Sequence, residues 1–495
     1  MAPPRPTSMH PRIWIIVVLA IIGLGTLSVR LAKPASPERV LILDGTLQSQ
    51  GKEIGPGLVT LLTDCLEVCS GATVTHAPAL PSAADLKRLP PQTRLVRFHA
   101  SRSGELLTLT LEWNTVSRLL ADKPWAFDAA PPQPPERALR EVVQHWPLAI
   151  RYRHLDLLIP KNSAHVWSLL EGMSIRDDRA ATDHLTESEQ LAQDEPNCAT
   201  AWATLGDHYY RSLWVQPEQA GIGLNSRTHR AFKRTVTLVP GHPRATFLWS
   251  MMLTDMGNQS LALQILRDGV RLRPGIPDMY LGIAYAGRTS GLLENARRAL
   301  IRRSDLMGPL AAPSDWFAET TYLYLGDLEA FEGELTRAGT VRHDANLLFY
   351  QGYFSLLRGQ PGQALDYMRV GSDPARLPTP FRDLCRVYRA YLEGRSSDGL
   401  LVLREIDEIR GKLRIPDGEW TFKEAEAYAL LGDADRGVDS ATRAFVQGFS
   451  CLAWYEKSPF LEKVRRHPRW PMLHRNIRER QALLAGSFPP SAFEP

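Results

Sequence analysis

Residues that could do chemistry are scattered along this chain and form no known catalytic spacing. The sequence holds 13 histidines and five cysteines, but it has no H-E-x-x-H, C-x-x-C or G-x-S-x-G motif, which would place zinc ligands, a redox pair or a nucleophilic serine. His208, within LGDHYY, is interpreted as a helix-surface or packing residue, and His242, after a proline, as a loop residue. The sequence therefore predicts a non-enzyme with no catalytic residue, no metal site and no cofactor, although a triad built from distant positions leaves no trace in sequence.

Two further groups of residues have ordinary structural interpretations. The segment GKEIGPG, at 51–57, is rich in glycine but lacks the Walker lysine and the G-x-G-x-x-G spacing, so its glycines and proline indicate a helix start. Cys65 and Cys69 stand four residues apart at a predicted helix end. They are either two core-facing thiols or a local disulfide, which requires the helix to end between them. The other three cysteines are interpreted as isolated buried residues: Cys198, Cys385 and Cys451.

Length and composition indicate a globular protein of several domains. The 495 residues exceed one ordinary domain and suggest about two to four. Hydrophobic residues make up 44% and charged residues 23%, which excludes wholesale disorder and collagen-like or coiled-coil order. A net charge of +4 over this length does not favour nucleic-acid binding, and five cysteines are too few for a disulfide scaffold.

One segment near the start is apolar and long enough to cross a membrane. Residues 13–32 contain a single charge, Arg30, and at ~1.5 Å per residue they span a hydrocarbon core of roughly 30 Å. The following residues lack a small-x-small cleavage site, which favours an uncleaved anchor over a signal peptide. The short leader favours a cytoplasmic N terminus and predicts a single-pass inner-membrane protein with most of the chain in the periplasm, although the flanking charges do not decide orientation.

Residues 38–150 alternate strand and helix signals and predict a small α/β domain. ERVLILDG and ATVTHA are predicted strands on either side of a helix that begins at 55–57, and Ser82 is placed to cap a short second helix. The segment TRLVRFHASRSGELLTLTLEWNTV predicts two strands joined by a turn at Ser103-Gly104. Five prolines between 124 and 135 then predict a stiff connection to a helix.

The strongest pattern in the chain is a series of glycines separated by 33 to 38 residues. The glycines are Gly223, Gly257, Gly291, Gly326, Gly359, Gly394 and Gly432. From Gly257 onward, small residues stand five residues after and seven residues before most of them, and Pro240 and Pro274 recur one period apart. Glycine supplies a turn between two helices, small residues let the helix axes approach, and proline ends the second helix. Because one such unit cannot bury its apolar face alone, the pattern predicts a mainly α-helical chain with helix pairs stacked as an α-solenoid over 163–450.

One unit also carries a complete motif, W-x2-L-G-x2-Y. Its residues are Trp202, Leu205, Gly206 and Tyr209, followed by Phe232 and Pro240. Together with the period, the motif resembles the tetratricopeptide repeat (TPR) family. The resemblance implies antiparallel helix pairs, about seven or eight in number, whose first helices line a concave protein-binding face.

The order of the parts resembles a wider family, the extracytoplasmic half of CadC-like (ToxR-type) membrane-anchored regulators. In those proteins an α/β unit that is similar to the N-terminal domain of TolB precedes a repeat array. The segments that carry the resemblance are ERVLILDG, LVTLLTDCLEVC, the hairpin ending LTLTLEW and the closing SPFLEKVRRHPRWPML. Those regulators carry a DNA-binding winged helix before the membrane span, whereas here only the short tail 1–12 precedes it. The resemblance therefore implies an envelope protein without a nucleic-acid partner.

The end of the chain has two interpretations. Residues 451–495 predict a capping segment that seals the last helix pair. Within it, 463–480 holds seven lysines and arginines against one acid, Glu479, so this stretch is either a polar cap or a patch for an anionic surface or acidic partner.

The TPR geometry places a set of side chains on the concave face. These are Asp207, Tyr210, Phe247, Met251, Tyr285, Arg288, Trp316, Phe349, Tyr353, Tyr388 and Tyr391. An aromatic-rich groove of this kind suits an extended or helical peptide. The alternative is that several of these residues pack against the neighbouring unit.

Together these patterns predict a non-enzymatic, membrane-anchored scaffold of a bacterial-type envelope. The scaffold is expected to bind an envelope or inner-membrane protein through the groove. A homo-oligomer is also compatible with the sequence. The alternative is a signal-sensing component whose α/β unit binds a ligand or another protomer and signals to a separate partner. A third hypothesis, an accessory or degenerate enzyme, requires a cluster of strongly shifted pKa values in a cleft between the α/β unit and the repeats.

Overall fold

A computed structural model describes residues 38–43, 48–49, 52–77, 80–129, 131–144, 152–215, 223–308, 320–340, 342–376, 379–410 and 415–494. The N-terminal tail at 1–12 and the predicted anchor at 13–32 lie outside these ranges. Among the described residues, no helix combines the length and the apolar character needed to span a membrane. Residues from Arg39 to the C terminus form one compact unit, which is mainly helical with a small sheet near its N-terminal end.

The α/β part is built on a five-stranded mixed sheet. Its strands and the adjoining two-stranded ribbon are β1 (Arg39–Leu43), β2 (Gln48–Ser49), β3 (Lys52–Glu53), β4 (Thr73–Ala77), β5 (Arg94–Ser103), β6 (Leu106–Thr115) and β7 (Ala126–Ala129). The sheet order is β4-β1-β5-β6-β7, with β1 parallel to both neighbours and β5, β6 and β7 antiparallel. The helices of this part are α1 (Gly55–Ser70), α2 (Ala83–Leu86), α3 (Val116–Leu120) and α4 (Pro135–Gln144).

Alternation along β1 divides the α/β core into two layers. Val40 and Ile42 belong to the cluster that α1 and α4 cover, whereas Leu41 and Leu43 belong to the cluster on the opposite face with Leu86. The predicted turn is confirmed at Gly104, which has a φ of 60°. The sequence prediction missed β7, which lies inside the proline-rich connection and pairs with β6 at the sheet edge, where flanking prolines are tolerated.

Helices make up most of the rest of the described residues. They are α5 (Ser163–Ser174), α6 (Asp178–Asp183), α7 (Leu185–Asp194), α8 (Ala199–Val215), α9 (Leu224–Leu238), α10 (Pro243–Asp255), α11 (Gln259–Leu272), α12 (Pro277–Thr289), α13 (Leu293–Met307), α14 (Thr320–Leu325), α15 (Leu328–Gly339), α16 (Ala345–Leu357), α17 (Pro361–Gly371), α18 (Pro380–Leu392), α19 (Ser396–Arg410), α20 (Gly418–Leu430), α21 (Ala434–Val446), α22 (Leu452–Lys457), α23 (Glu462–Arg465) and α24 (Trp470–Ser487).

The seven periodic glycines all lie between the two helices of a pair, from α8–α9 through α20–α21. Each has a φ between 70° and 98°, a left-handed conformation that glycine adopts without steric cost. Marker residues of the period, such as Ala262 and Ala284, are fully buried. Both Pro240 and Pro274 follow the end of a second helix by two residues. Helix pairs with a glycine turn therefore run from α8 to α21, whereas the segment before them, 163–194, holds three helices, α5 to α7.

The motif glycine Gly206 sets the closest approach within the first complete pair. A Cβ atom at this position would lie 2.6 Å and 2.7 Å from two ring carbons of Phe232, which is itself fully buried. We expect Gly206→Ala to lower the free energy of unfolding by about 1–3 kcal/mol, because the ring has to leave its packed position. Gly333→Ala, at a mid-helix glycine with open space around it, is the control for chemical denaturation followed by circular dichroism. An equal effect of the two substitutions would contradict this packing.

The helix pairs curve until late elements meet early ones. The Asp417 N–H donates to the Asp255 carbonyl at 3.0 Å, and the Ser450 N–H donates to the Thr289 carbonyl at 2.8 Å. These two bonds join the start of α20 to the end of α10, and the segment after α21 to the end of α12. The inner side of the pairs is consequently covered by α20 instead of forming an open groove.

The basic C-terminal segment is packed as a cap. Leu473 and Ile477 of α24 are buried in the core that α20 and α21 share. Several of its arginines bind groups of the same chain: Arg469 pairs with Asp439 at 2.6 Å, and Arg465 donates to the Ser458 carbonyl at 2.7 Å. These contacts favour the capping interpretation over a patch for an anionic partner.

The α/β part contacts the helix pairs through α1. Arg244, at the start of α10, pairs with Asp64 at 3.1 Å, and Arg273 donates to the Val68 carbonyl at 2.8 Å. His242, interpreted from sequence as a loop residue, directly precedes α10 and is fully buried 4.0 Å from Asp64. All five cysteines are free and buried. Because α1 continues past Cys65 and Cys69, the interpretation as two core thiols is confirmed and the disulfide alternative is wrong.

Candidate functional site

The covered inner side of the helix pairs contains a cavity of about 290 Å³. Its walls come from α8, α10, α12, α16, α18 and α20. Six aromatic residues line it: Tyr210, Trp214, Tyr285, Tyr350, Phe381 and Trp420. Five charged residues line it as well: Asp255, Arg288, Asp417, Glu419 and Lys423. The cavity therefore combines aromatic surface with a high density of charge.

Asp255 occupies the last position of α10 and is 4% exposed. Its Oδ1 accepts a hydrogen bond of 2.6 Å from the Tyr285 hydroxyl, and its Oδ2 accepts one from the Tyr210 hydroxyl. Burial raises the pKa of Asp255 to about 8, with a further contribution from the nearby Asp417. The Asp255 carboxyl is consequently harder to ionise than a carboxyl in water.

Asp417 lies beside Asp255 at the start of α20. Its backbone is left-handed, with a φ of 42°, which is uncommon outside glycine, and its Oδ1 caps α20 by accepting the Trp420 N–H at 3.1 Å. Burial raises the pKa of Asp417 too. Among the described residues, neither Asp255 nor Asp417 has a basic side chain within ion-pair distance.

The two basic residues of the cavity, in contrast, each have a carboxylate partner. Arg288 donates to Glu419 at 2.6 Å, and Lys423 donates to Glu426 at 3.0 Å. Burial lowers the pKa of Lys423, and Glu426 opposes that effect. The Lys423 ammonium also lies 4.1 Å from the centre of the Tyr353 ring. Of the charged lining residues, Asp255 and Asp417 are therefore the two without an ion-pair partner among the described residues.

Four lining residues are only partly buried: Trp214, Asn346, Phe381 and Asp417. Because they are the lining residues with the most exposed surface, we call these four residues the cavity mouth. The side-chain Oδ1 of Asn346 is buried and accepts no hydrogen bond from the described residues. It is a hydrogen-bond acceptor at the cavity without a donor.

The residues predicted for the concave face separate into three groups. Tyr210, Met251, Tyr285 and Arg288 line the cavity. Phe349, Tyr353 and Tyr388 are core side chains with at most 1% exposure, and Phe247 is also buried, as the packing alternative predicted.

The three remaining candidates do not contribute to the cavity wall. Asp207 is half-buried and pairs with Arg211 at 2.9 Å. Tyr391 is half-buried and packs against the core that α16, α18 and α20 share. Trp316 lies outside the described residues.

Sequence reasoning missed most of the charged wall. Glu419 and Lys423, with the buried Glu426, recur at positions i, i+4 and i+7 and form one stripe on α20. This stripe was the signal in the sequence that could have revealed the charged wall, because the period assigns α20 to the interior of the array. Asp255 and Asp417 gave no such signal, because only the curvature of the whole array brings them together.

The contact between the α/β part and the helix pairs also contains shifted groups. Burial lowers the pKa of His242 to about 4 and raises the pKa of Glu67 well above its usual range. Asp64 of the same contact is 2% exposed, and Glu67 is 7% exposed. These side chains are packed into the contact between the two parts.

No protein family matches this chain, and no curated protein matches it. Among the described residues, no group of three or more histidine, cysteine, aspartate or glutamate side chains is placed to hold a metal ion. The cavity described above, with its aromatic rings and carboxyl groups, is therefore the candidate site.

Proposed function

We propose that this chain is a non-enzymatic interaction protein of TPR-like architecture, which binds a protein partner through the inner side of its helix pairs. The observation that carries the proposal is that Tyr210, Met251, Tyr285 and Arg288, expected on the binding face of a TPR array, line one cavity. The period, the W-x2-L-G-x2-Y motif and the left-handed turn glycines support the TPR-like assignment.

The site of contact would be the cavity mouth instead of an extended groove. Partly buried aromatic residues at the edge of a cavity are typical anchors of protein interfaces. Trp214 and Phe381 have this position, whereas the three fully buried candidates from α16 and α18 are inaccessible to a partner.

Replacing Trp214 with alanine is expected to reduce the amount of partner that co-purifies with the anchored protein by at least about tenfold, because an interface aromatic anchor contributes roughly 2 kcal/mol or more. Trp202→Ala is the matched control: it is a partly buried tryptophan on the same helix, and its Nε1 donates to the Pro196 carbonyl away from the cavity. The effect of each substitution is measured as the amount of partner recovered after chemical crosslinking in cells. Equal recovery with the two variants would contradict binding at the cavity mouth.

We further propose that the segment 13–32 anchors the protein in the inner membrane and that the described residues lie in the periplasm. The support is the length and apolar character of the segment and the absence of a cleavage site after it. An anchor would concentrate the array near membrane partners. The orientation is tested by fusing the C terminus to a reporter enzyme that is active on only one side of the membrane.

A second candidate function, a signal-sensing component, is favoured by the position of α10. This helix starts at the contact with the α/β part, where Arg244 pairs with Asp64, and ends at Asp255 in the cavity. A single helix of 13 residues thus joins the two places. Dimerisation or partner binding that changes when the Arg244–Asp64 pair is removed would favour this function over a plain scaffold.

A further inference from the structure

We infer that the partner inserts one lysine or arginine side chain into the cavity, between Asp255 and Asp417 and the surrounding rings. The inference rests on the proposed function and specifies the chemistry of its partner.

Charge is the first reason. The cavity wall carries two bases, and each lies within 3.0 Å of a carboxylate. Asp255 and Asp417 have no ion-pair partner among the described residues, and the guanidinium groups of Arg410 and Arg288 act on Asp417 from a greater distance. A cation that enters the cavity would add an ion pair to the hydrogen bonds that the two carboxyls already accept.

Aromatic surface is the second reason. Trp214 from α8 and Trp420 from α20 both line the cavity, and Phe381 packs edge-on against Trp420 with 5.1 Å between ring centres. The faces of tryptophan and tyrosine rings attract a cation within about 6 Å. The same wall already holds one cation in this way, since Arg288 lies 4.9 Å from the centre of the Tyr285 ring.

Hydrogen bonding is the third reason. The Oδ1 of Asn346 lacks a donor among the described residues, and the carboxylate oxygens of Asp417 are also acceptors. A primary ammonium or a guanidinium provides several N–H donors, whereas a quaternary ammonium provides none. The acceptors therefore select lysine or arginine from among organic cations.

Size is the fourth reason. A volume of about 290 Å³ lies at the lower end of the roughly 300–1,000 Å³ found for ligand pockets. It accommodates a single long side chain, and it is too small for an extended peptide.

The protonation of Asp255 supplies a signature of such binding. A bound cation would lower its pKa from about 8, so that binding releases a proton and becomes tighter as pH rises towards 8. The titratable and charged groups that face Asp255 are Tyr210 on α8, Tyr285 and Arg288 on α12, and Asp417 and Glu419 at the start of α20. Because lysine itself titrates near 10.4, the change in binding between pH 6 and 8.5 reports the two cavity carboxyls whose pKa values burial raises, Asp255 and Asp417.

The test is calorimetric titration of the purified full chain with N-acetyl-lysine N-methylamide and its uncharged norleucine counterpart. We expect the lysine probe to bind at least about tenfold more tightly than the norleucine probe, and at least about tenfold more tightly at pH 8.5 than at pH 6. Equal binding of the two probes, or no binding of either up to millimolar concentration, would overturn the inference. Butylammonium is a third probe: a free amine that binds much more tightly than the lysine probe would identify a small amine, and not a protein side chain, as the ligand.

Asp255→Asn is expected to abolish the preference for the lysine probe and its pH dependence. Asp268→Asn, on the neighbouring α11, is the matched control because Asp268 is an exposed aspartate paired with Arg267. If Asp255→Asn proves unstable by circular dichroism, Asp417→Asn serves as the second variant. A partner lost from Trp214→Ala but retained by Asp255→Asn would overturn the cation inference and leave the proposed function standing, whereas a partner retained by both would overturn the proposed function.

Discussion

Replacing Glu426 with alanine is expected to lower the free energy of unfolding by about 3–5 kcal/mol, because it leaves the Lys423 ammonium buried without its carboxylate. Lys423 is 1% exposed and Glu426 is fully buried. Glu426 also accepts hydrogen bonds from the Tyr353 hydroxyl at 2.8 Å and from the Ser458 hydroxyl at 2.5 Å. One substitution therefore removes the acceptor of three buried donors.

A double variant separates the ion pair from general packing. Lys423→Met combined with Glu426→Leu should recover much of the stability lost by Glu426→Ala, since no buried charge is left unpaired. Glu462→Ala is the exposed control: Glu462 pairs with Arg466, and both side chains are more than half exposed, so we expect a change below about 1 kcal/mol. Urea denaturation followed by circular dichroism measures the free energy of unfolding of the three variants. A loss for Glu426→Ala no larger than for Glu462→Ala would contradict the buried pair.

Gly57→Ala is expected to weaken the contact between the α/β part and the helix pairs by about 3 kcal/mol or more. A Cβ atom at Gly57 would lie 2.0 Å from the carbonyl oxygen of Leu170 on α5, a backbone atom that cannot rotate away. The Gly57 N–H also donates to the Ser174 hydroxyl at 2.8 Å. Helix α1 would have to move away from α5, and the hydrogen bond between the Gly57 N–H and Ser174 would be lost.

The chain offers a matched control for this substitution. Gly362 follows the N-terminal proline of α17 as Gly57 follows the N-terminal proline of α1, but no atom lies within 4 Å of its added Cβ. Gly362→Ala should therefore be neutral or slightly stabilising. Limited proteolysis at 38–150, together with the midpoint of thermal unfolding, measures the difference. If proteolysis cleaves this region equally fast in the two variants, the tight contact at Gly57 is contradicted.

Much of the helical architecture could be predicted from sequence, because its signals are local. A turn glycine between two apolar helices has to be left-handed whatever surrounds it, and all seven predicted positions have this conformation. The N-cap at Ser82 and the hairpin turn at Gly104 are local signals of the same kind. The strand β7 was missed because its pairing with β6, and not its own composition, makes it a strand.

The candidate site could be predicted only in part, because it depends on the curvature of the array. The motif found Tyr210, and the period found Met251, Tyr285 and Arg288. Neither could show that the start of α20 meets the end of α10, or that Tyr353 and Tyr388 are buried in the core. Small rotations between successive pairs add up over the array, and no single repeat encodes their sum.

The central claim is that partner binding takes place at the mouth of the inner cavity. Its most direct test is a photo-activatable crosslinking amino acid placed at position 214 in the anchored protein in cells, with position 202 on the same helix as the comparison. The account predicts a discrete adduct with one partner from position 214 and none from position 202. Adducts of equal yield from both positions, or an adduct from position 202 alone, would contradict it.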